Sequence, residues 1–136
     1  MRKVDNFTRG YVEVTMSDGT YYEGEVHFLY DEFYFDGEGR AIFNDGNQYR
    51  GFWSKGKMHG KGRYEWAKEK IAYEGEYKFG KKDGEGKYYF GEKKYLKGRW
   101  EQGKKQGTFQ VVEEVKEKEV VIGGYKFSND EIELES

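Results

Sequence analysis

Cysteine and proline are both missing from this sequence, and hydrophobic residues make up only 35% of its 136 positions. Without cysteine there are neither disulfides nor thiolate metal sites, and the compartment is left open with a mild lean toward a reducing one. No apolar run approaches the length of a spanning helix, and Met1 to Asp5 is not followed by the apolar stretch of a signal peptide. The expectation is a soluble, cytoplasmic protein. Apolar residues at helical spacing are absent too, and a mean hydropathy of -1.10 with 37% charged residues leaves little material for a thick aliphatic core. What the chain does have is 20 glycines, 13 tyrosines, 10 phenylalanines and 3 tryptophans. Rings lying over bare backbone are a way to stabilise a thin β structure.

The rings and glycines recur in register. Tyr22-Glu23-Gly24, Tyr49-Arg50-Gly51, Tyr73-Glu74-Gly75 and Leu96-Lys97-Gly98 follow one another at intervals of 27, 24 and 23 residues. A second element, Gly-x-Gly, follows at Gly37-Glu38-Gly39, Gly60-Lys61-Gly62 and Gly84-Glu85-Gly86, and decays to Gly107-Thr108-Phe109. Its first copy comes four residues late, which marks an insertion within Tyr30 to Phe35. Between these elements the pattern has period two. Tyr49, Gly51 and Trp53 alternate with Arg50, and Gly60, Gly62, Tyr64 and Trp66 alternate with Lys61, Arg63 and Glu65. Each repeat is therefore expected to form one hairpin, with Gly56 and Gly80 supplying the tight turns. Residues 1–19 open the chain as a half repeat, 20–109 hold about four repeats, and 110–136 comprise a charged connector, a terminal strand and an acidic tail. The tail from Asn129 to Glu135 alternates acid with apolar and reads equally as a capping strand or a docking tail.

Tyr49 to Tyr64 resembles a MORN (membrane occupation and recognition nexus) repeat, and Tyr73 to Tyr88 resembles a second. The resemblance extends over roughly residues 10 to 127 and is weakest from Leu96 to Phe109. It implies an all-β fold: an elongated, curved, single-layer antiparallel array of hairpin repeats with half repeats at both ends. It implies no catalytic residues and no cofactor. The work implied is that of a scaffold or adaptor mediating protein–protein contact in a larger intracellular assembly, cytoskeletal or ciliary by family analogy. The alternative is a peripheral membrane adaptor that binds anionic phospholipid.

Two candidate surfaces follow. Period two places Tyr49, Trp53, Tyr64, Trp66, Tyr73, Tyr77, Tyr88 and Trp100 on one face, with the opposite face mostly charged. Rings on a single layer cannot bury both their sides, so this face is expected to be core and partner contact at once. The hairpin turns bring together Lys55, Lys57, Lys81, Lys82, Lys104 and Lys105 as a basic edge for an acidic protein or anionic lipid. Charge is segregated accordingly: residues 49–107 carry 17 basic against 8 acidic residues, while 1–48 carry 4 against 10 and 108–136 carry 3 against 8. Self-association through paired ring faces or through these unlike segments is a further reading.

The bland readings of the remaining motifs are the stronger ones. The Gly-x-Gly elements lack the third glycine and helix start of a phosphate loop. His27 and His59 are the only histidines, with His59 read as a turn residue, and Ser17, Ser54, Ser128 and Ser136 sit in no nucleophile context. No metal site and no catalysis are expected. Basic residues interleaved with rings also suit single-stranded nucleic acid, but a pI of 5.8 and glutamates in the same strands argue against it.

Overall fold

The computed structural model describes residues 8–132. They form one open antiparallel sheet in which the strands lie in chain order. The strands are β1 (Thr8–Thr15), β2 (Tyr21–Leu29), β3 (Glu32–Ile42), β4 (Gln48–Ser54), β5 (Lys57–Trp66), β6 (Ile71–Lys78), β7 (Lys81–Tyr89), β8 (Lys94–Glu101), β9 (Lys104–Val115), β10 (Lys118–Ser128) and β11 (Glu131–Ile132). The expected hairpin array is what the chain forms. Each strand pairs with its sequence neighbours because tight turns leave no room for any other partner.

The period-two register places glycine opposite glycine. Gly24, Gly39, Gly51, Gly62, Gly75, Gly86 and Gly98 pair in sequence from β2 to β8, making one file that crosses seven strands. Beside this file the hairpin of each repeat breaks register: after Gly24, Gly51 and Gly75 in the first three, and one residue earlier, after Lys97, in the fourth. The two glycines of Gly-x-Gly serve this bulge differently. The first turns the backbone left-handed, at φ +100° in Gly37, +76° in Gly60, +109° in Gly84 and +75° in Gly107. The second, Gly39, Gly62 or Gly86, leaves room for a ring: a Cβ there would collide with Tyr22, Tyr49 or Tyr73. In the last hairpin Phe109 stands where the second glycine would be, and its own ring lies on Gly98.

The insertion within Tyr30 to Phe35 lengthens the β2–β3 hairpin, where Val26, His27, Phe28 and Leu29 pair with Phe35, Tyr34, Phe33 and Glu32 before the turn. The segment Glu113 to Glu119 forms the end of β9, a turn at Lys116 and Glu117, and the start of β10. Of the tail, Glu131 and Ile132 pair with Ser128 and Phe127. Residues 1–7 and 133–136 lie outside the described residues.

Candidate functional site

The ring face closes on itself. Because the intervening strand offers only glycine, a ring can lean across it to a ring two strands away. Tyr22 meets Trp53, Trp53 meets Tyr49, and Tyr49 reaches Tyr77. The series continues through Tyr73, Trp100, Phe109 and Phe127, with edge-on contacts and centroids 4.8 to 5.8 Å apart throughout. Such edge-to-face pairs contribute about 0.5–1.5 kcal/mol each beyond their burial. Burial pushes the phenols of Tyr22, Tyr49, Tyr73 and Tyr77 well above their ordinary range.

This changes the reading of the candidate contact residues. Tyr49 and Tyr73 are fully buried, and Trp53, Tyr77 and Trp100 are at most 6% exposed. They are core side chains, with little surface open to a partner. Tyr64, Trp66 and Tyr88 are only half-buried, and with Phe43 they form a strip: Phe43 stacks on Tyr64 at 5.9 Å, Tyr64 meets Trp66 at 4.5 Å, and Trp66 meets Tyr88 at 6.4 Å. Of the eight candidate rings, Tyr64, Trp66 and Tyr88 are the ones that keep surface open to a partner.

The six lysines also divide. Lys55, Lys57, Lys81 and Lys104 are exposed along the margin formed by one set of turns. That margin is stitched together by turn amides: Gly56 donates to Phe35 carbonyl, Gly80 to Met58 and Gly103 to Lys82. Lys82 and Lys105 have the opposite strand parity and turn onto the rings. The Lys82 ammonium lies 5.2 Å from the ring centroids of Trp66 and Tyr73 and 5.8 Å from that of Tyr88. Burial, with Lys105 repelling and Asp130 opposing, lowers its pKa below lysine's ordinary value. Lys105 sits 5.2 Å from the Phe127 centroid and 2.8 Å from Asp130. Period two, applied to these residues, would have separated the pair from the other four.

His59 is a turn residue, as expected, and its role is specific. Its Nδ1 accepts the backbone N–H of Phe79, the left-handed residue of the next turn, at 3.2 Å. Asp36 accepts from Lys55 N–H at 3.0 Å and Asp83 from Gln102 N–H at 3.1 Å. Gln106 accepts from Asn129 N–H at 3.3 Å. All four residues immediately precede the first glycine of the second element. Reading that column in the sequence would have found the role.

The opposite face is less uniform than its charges suggest. Ala72, Tyr95 and Val112 are buried there, in a cross-strand row with Tyr89. Lys87 lies 4.9 Å from the Tyr95 centroid, and Glu119 from β10 reaches Lys87 and Lys97 at 3.5 Å. The Tyr95 hydroxyl and these two lysines hold the Glu119 carboxyl below its usual range. Between that patch and β3 runs a trough of about 690 Å³ across six strands, floored by Gly51, Gly62, Gly75 and Gly86. Among the described residues no group of three or more histidine and carboxylate side chains is placed to hold a metal.

A family model of the MORN repeat matches residues 49–69 and 73–92, the β4–β5 and β6–β7 hairpins with their following turns. The chain carries MORN repeats. A MORN repeat-containing protein 3 from Xenopus laevis is 38% identical over 69 residues, a stretch covering 46% of this chain and 29% of that protein. The chain thus spans less than a third of the length of the curated relative it matches. MORN repeats are in general protein- or membrane-contacting modules rather than enzymes. The buried rings here are the reason for the repeat: tyrosine and glycine are spaced to build the core.

Proposed function

We propose that this MORN array is a non-catalytic adaptor that holds a protein partner within a larger intracellular assembly, with the half-buried strip Phe43, Tyr64, Trp66 and Tyr88 as a contact. The observation that carries this reading is the contrast along one face: a continuous series of rings is buried, while this strip keeps part of each ring open to solvent. Large aromatic side chains are the residues that dominate interface energetics, tryptophan foremost. The cytoskeletal or ciliary setting rests on likeness to the family alone. Affinity capture on the intact chain, compared with Trp66→Ala at matched thermal stability and quantified by mass spectrometry, tests the proposal. A specific protein retained by the wild type and lost with the variant supports it, and an unchanged set of bound proteins removes it.

A membrane-adaptor reading is favoured by one observation, the alignment of Lys55, Lys57, Lys81 and Lys104 along an exposed margin. Co-sedimentation with phosphatidylserine vesicles tests it. Binding that falls with salt and is lost in Lys81→Glu/Lys104→Glu, but kept in Lys82→Gln, supports lipid contact at the margin.

A further inference from the structure

The glycine-floored trough has walls of opposite character. One wall carries Arg50, Arg63, Glu74, Lys87 and Lys97, and the other Glu38, Phe52, Lys61, Glu76 and Glu85. The basic wall begins with an unusual run. Arg40, Arg50 and Arg63 stand directly opposite one another on β3, β4 and β5. Like charges in directly opposed positions destabilise a sheet. The outer two are compensated, Arg40 by Glu23 at 2.9 Å and Arg63 by Glu65 at 2.9 Å and Glu74 at 2.8 Å. Arg50, the middle one, is exposed and has no carboxylate within salt-bridge distance among the described residues. Facing it across the floor is Phe52, 48% exposed.

We propose that the trough receives a segment of a partner protein bearing carboxylates beside apolar side chains, with a carboxylate on Arg50 and an apolar group on Phe52. A guanidinium flanked by two others costs stability in the free protein, and an acidic side chain arriving there offsets the repulsion while finding a forked donor. The basic balance of residues 49–107 draws such a segment in. The source is a protein because the acidic wall, with Glu38, Glu76 and Glu85, disfavours a continuous polyanion, and a flat bilayer does not enter a trough. The proposal takes the adaptor reading as its ground but concerns the face opposite the aromatic strip, so either can fail alone.

The test uses the intact chain and a fluorescein-labelled peptide of alternating Glu and Leu, with Gln–Leu and Lys–Leu peptides as controls, followed by anisotropy. Wild type is expected to prefer Glu–Leu over both, with affinity falling as salt rises. Arg50→Gln should weaken it at least tenfold and at the same time raise Tm by about 2–4 °C, since it removes the central repulsion. Lys68→Gln, in the exposed turn after β5 and outside the trough, should leave peptide binding unchanged. The proposal is overturned if wild type shows no preference for Glu–Leu, if Arg50→Gln binds within twofold of wild type, or if Arg50→Gln lowers Tm, which would make Arg50 a structural residue. Phosphatidylserine vesicles that bind wild type but not Arg50→Gln would overturn it in favour of lipid.

Discussion

The hydroxyl of Tyr49 donates to the backbone carbonyl of Phe52 at 2.8 Å, and Phe52 is the residue that drops out of the β4–β5 ladder. The bulge that frees this carbonyl is thus answered by the ring packed beside it. Tyr22 bonds the Glu25 carbonyl at 2.6 Å and Tyr73 the Glu76 carbonyl at 2.9 Å, at the equivalent bulges. This is why the position is tyrosine rather than phenylalanine. Tyr49→Phe should keep the fold and lose about 1–2 kcal/mol, because a buried acceptor is left unmet. Tyr64→Phe, on a half-exposed ring, should change stability by less than about 0.5 kcal/mol. Urea denaturation of both variants checks this, and equal losses would sever the hydroxyl from the bulge.

The glycines should fall into three ranks. A Cβ on Gly62 would collide with the Tyr49 ring and hydroxyl, both fixed in the core, so Gly62→Ala should cost about 3 kcal/mol or more. Gly56 has open space around it but sits at φ +82°, and Gly56→Ala should cost about 1–2 kcal/mol from backbone conformation alone. Gly91 has neither constraint, and Gly91→Ala should be neutral within about 0.5 kcal/mol. A thermal-shift series in this order would show that the file glycines are set by rings and the turn glycines by dihedral angle.

The hairpins were legible in the sequence because alternation has a fixed period and each turn is local. Residue parity even assigns Lys82 to the ring face and Lys81 away from it, although grouping the turn lysines by their spacing hid that distinction. Burial was harder to read. Whether rings on one layer need an outside cover depends on whether Tyr49 can lean over Gly62 to Tyr77, and that is set by the register of three strands together. The patch around Tyr95 was hidden for a similar reason: Ala72 and Tyr95 recur at the repeat interval of 23, as do Tyr89 and Val112, but only the pairing of four strands sets them side by side.

The residue before the first glycine of the second element should behave as an acceptor for the next turn. His59→Asp should be tolerated because Asp36 and Asp83 do the same work from the same position. His59→Leu leaves the Phe79 N–H without its partner and also loses the ring contact with Phe79, whose centroid lies 4.8 Å away. A cost of about 1 kcal/mol is expected for a bond at this exposed margin. Amide hydrogen exchange at Phe79 is the direct readout. Faster exchange in His59→Leu with wild-type protection in His59→Asp is the expected result, and equal protection in both variants would show that the turn holds without the acceptor.

Alkaline pH should unfold the protein abruptly, and the sign follows from the phenols. Tyr22, Tyr49, Tyr73, Tyr77 and Tyr95 have folded pKa values raised by burial, while in the unfolded chain they ionise near the ordinary value of 10.0. Below that pH both states hold the protons and the contribution is fully present. Above it the unfolded state releases protons that the folded state retains, so stability falls by at most about 1.4 kcal/mol per tyrosine per pH unit. Lys82 opposes this, since its lowered folded pKa means that deprotonation removes a buried charge, but it is one group against five. Urea midpoints should therefore be flat from about pH 7 to 9.5 and drop steeply between about pH 10 and 11. Phenolate absorbance from these rings should appear only with unfolding. Tyr77→Phe should make the drop shallower by about a fifth, as one of five such groups is removed. Ordinary titration of all the phenols in the still-folded protein would contradict the closed ring core.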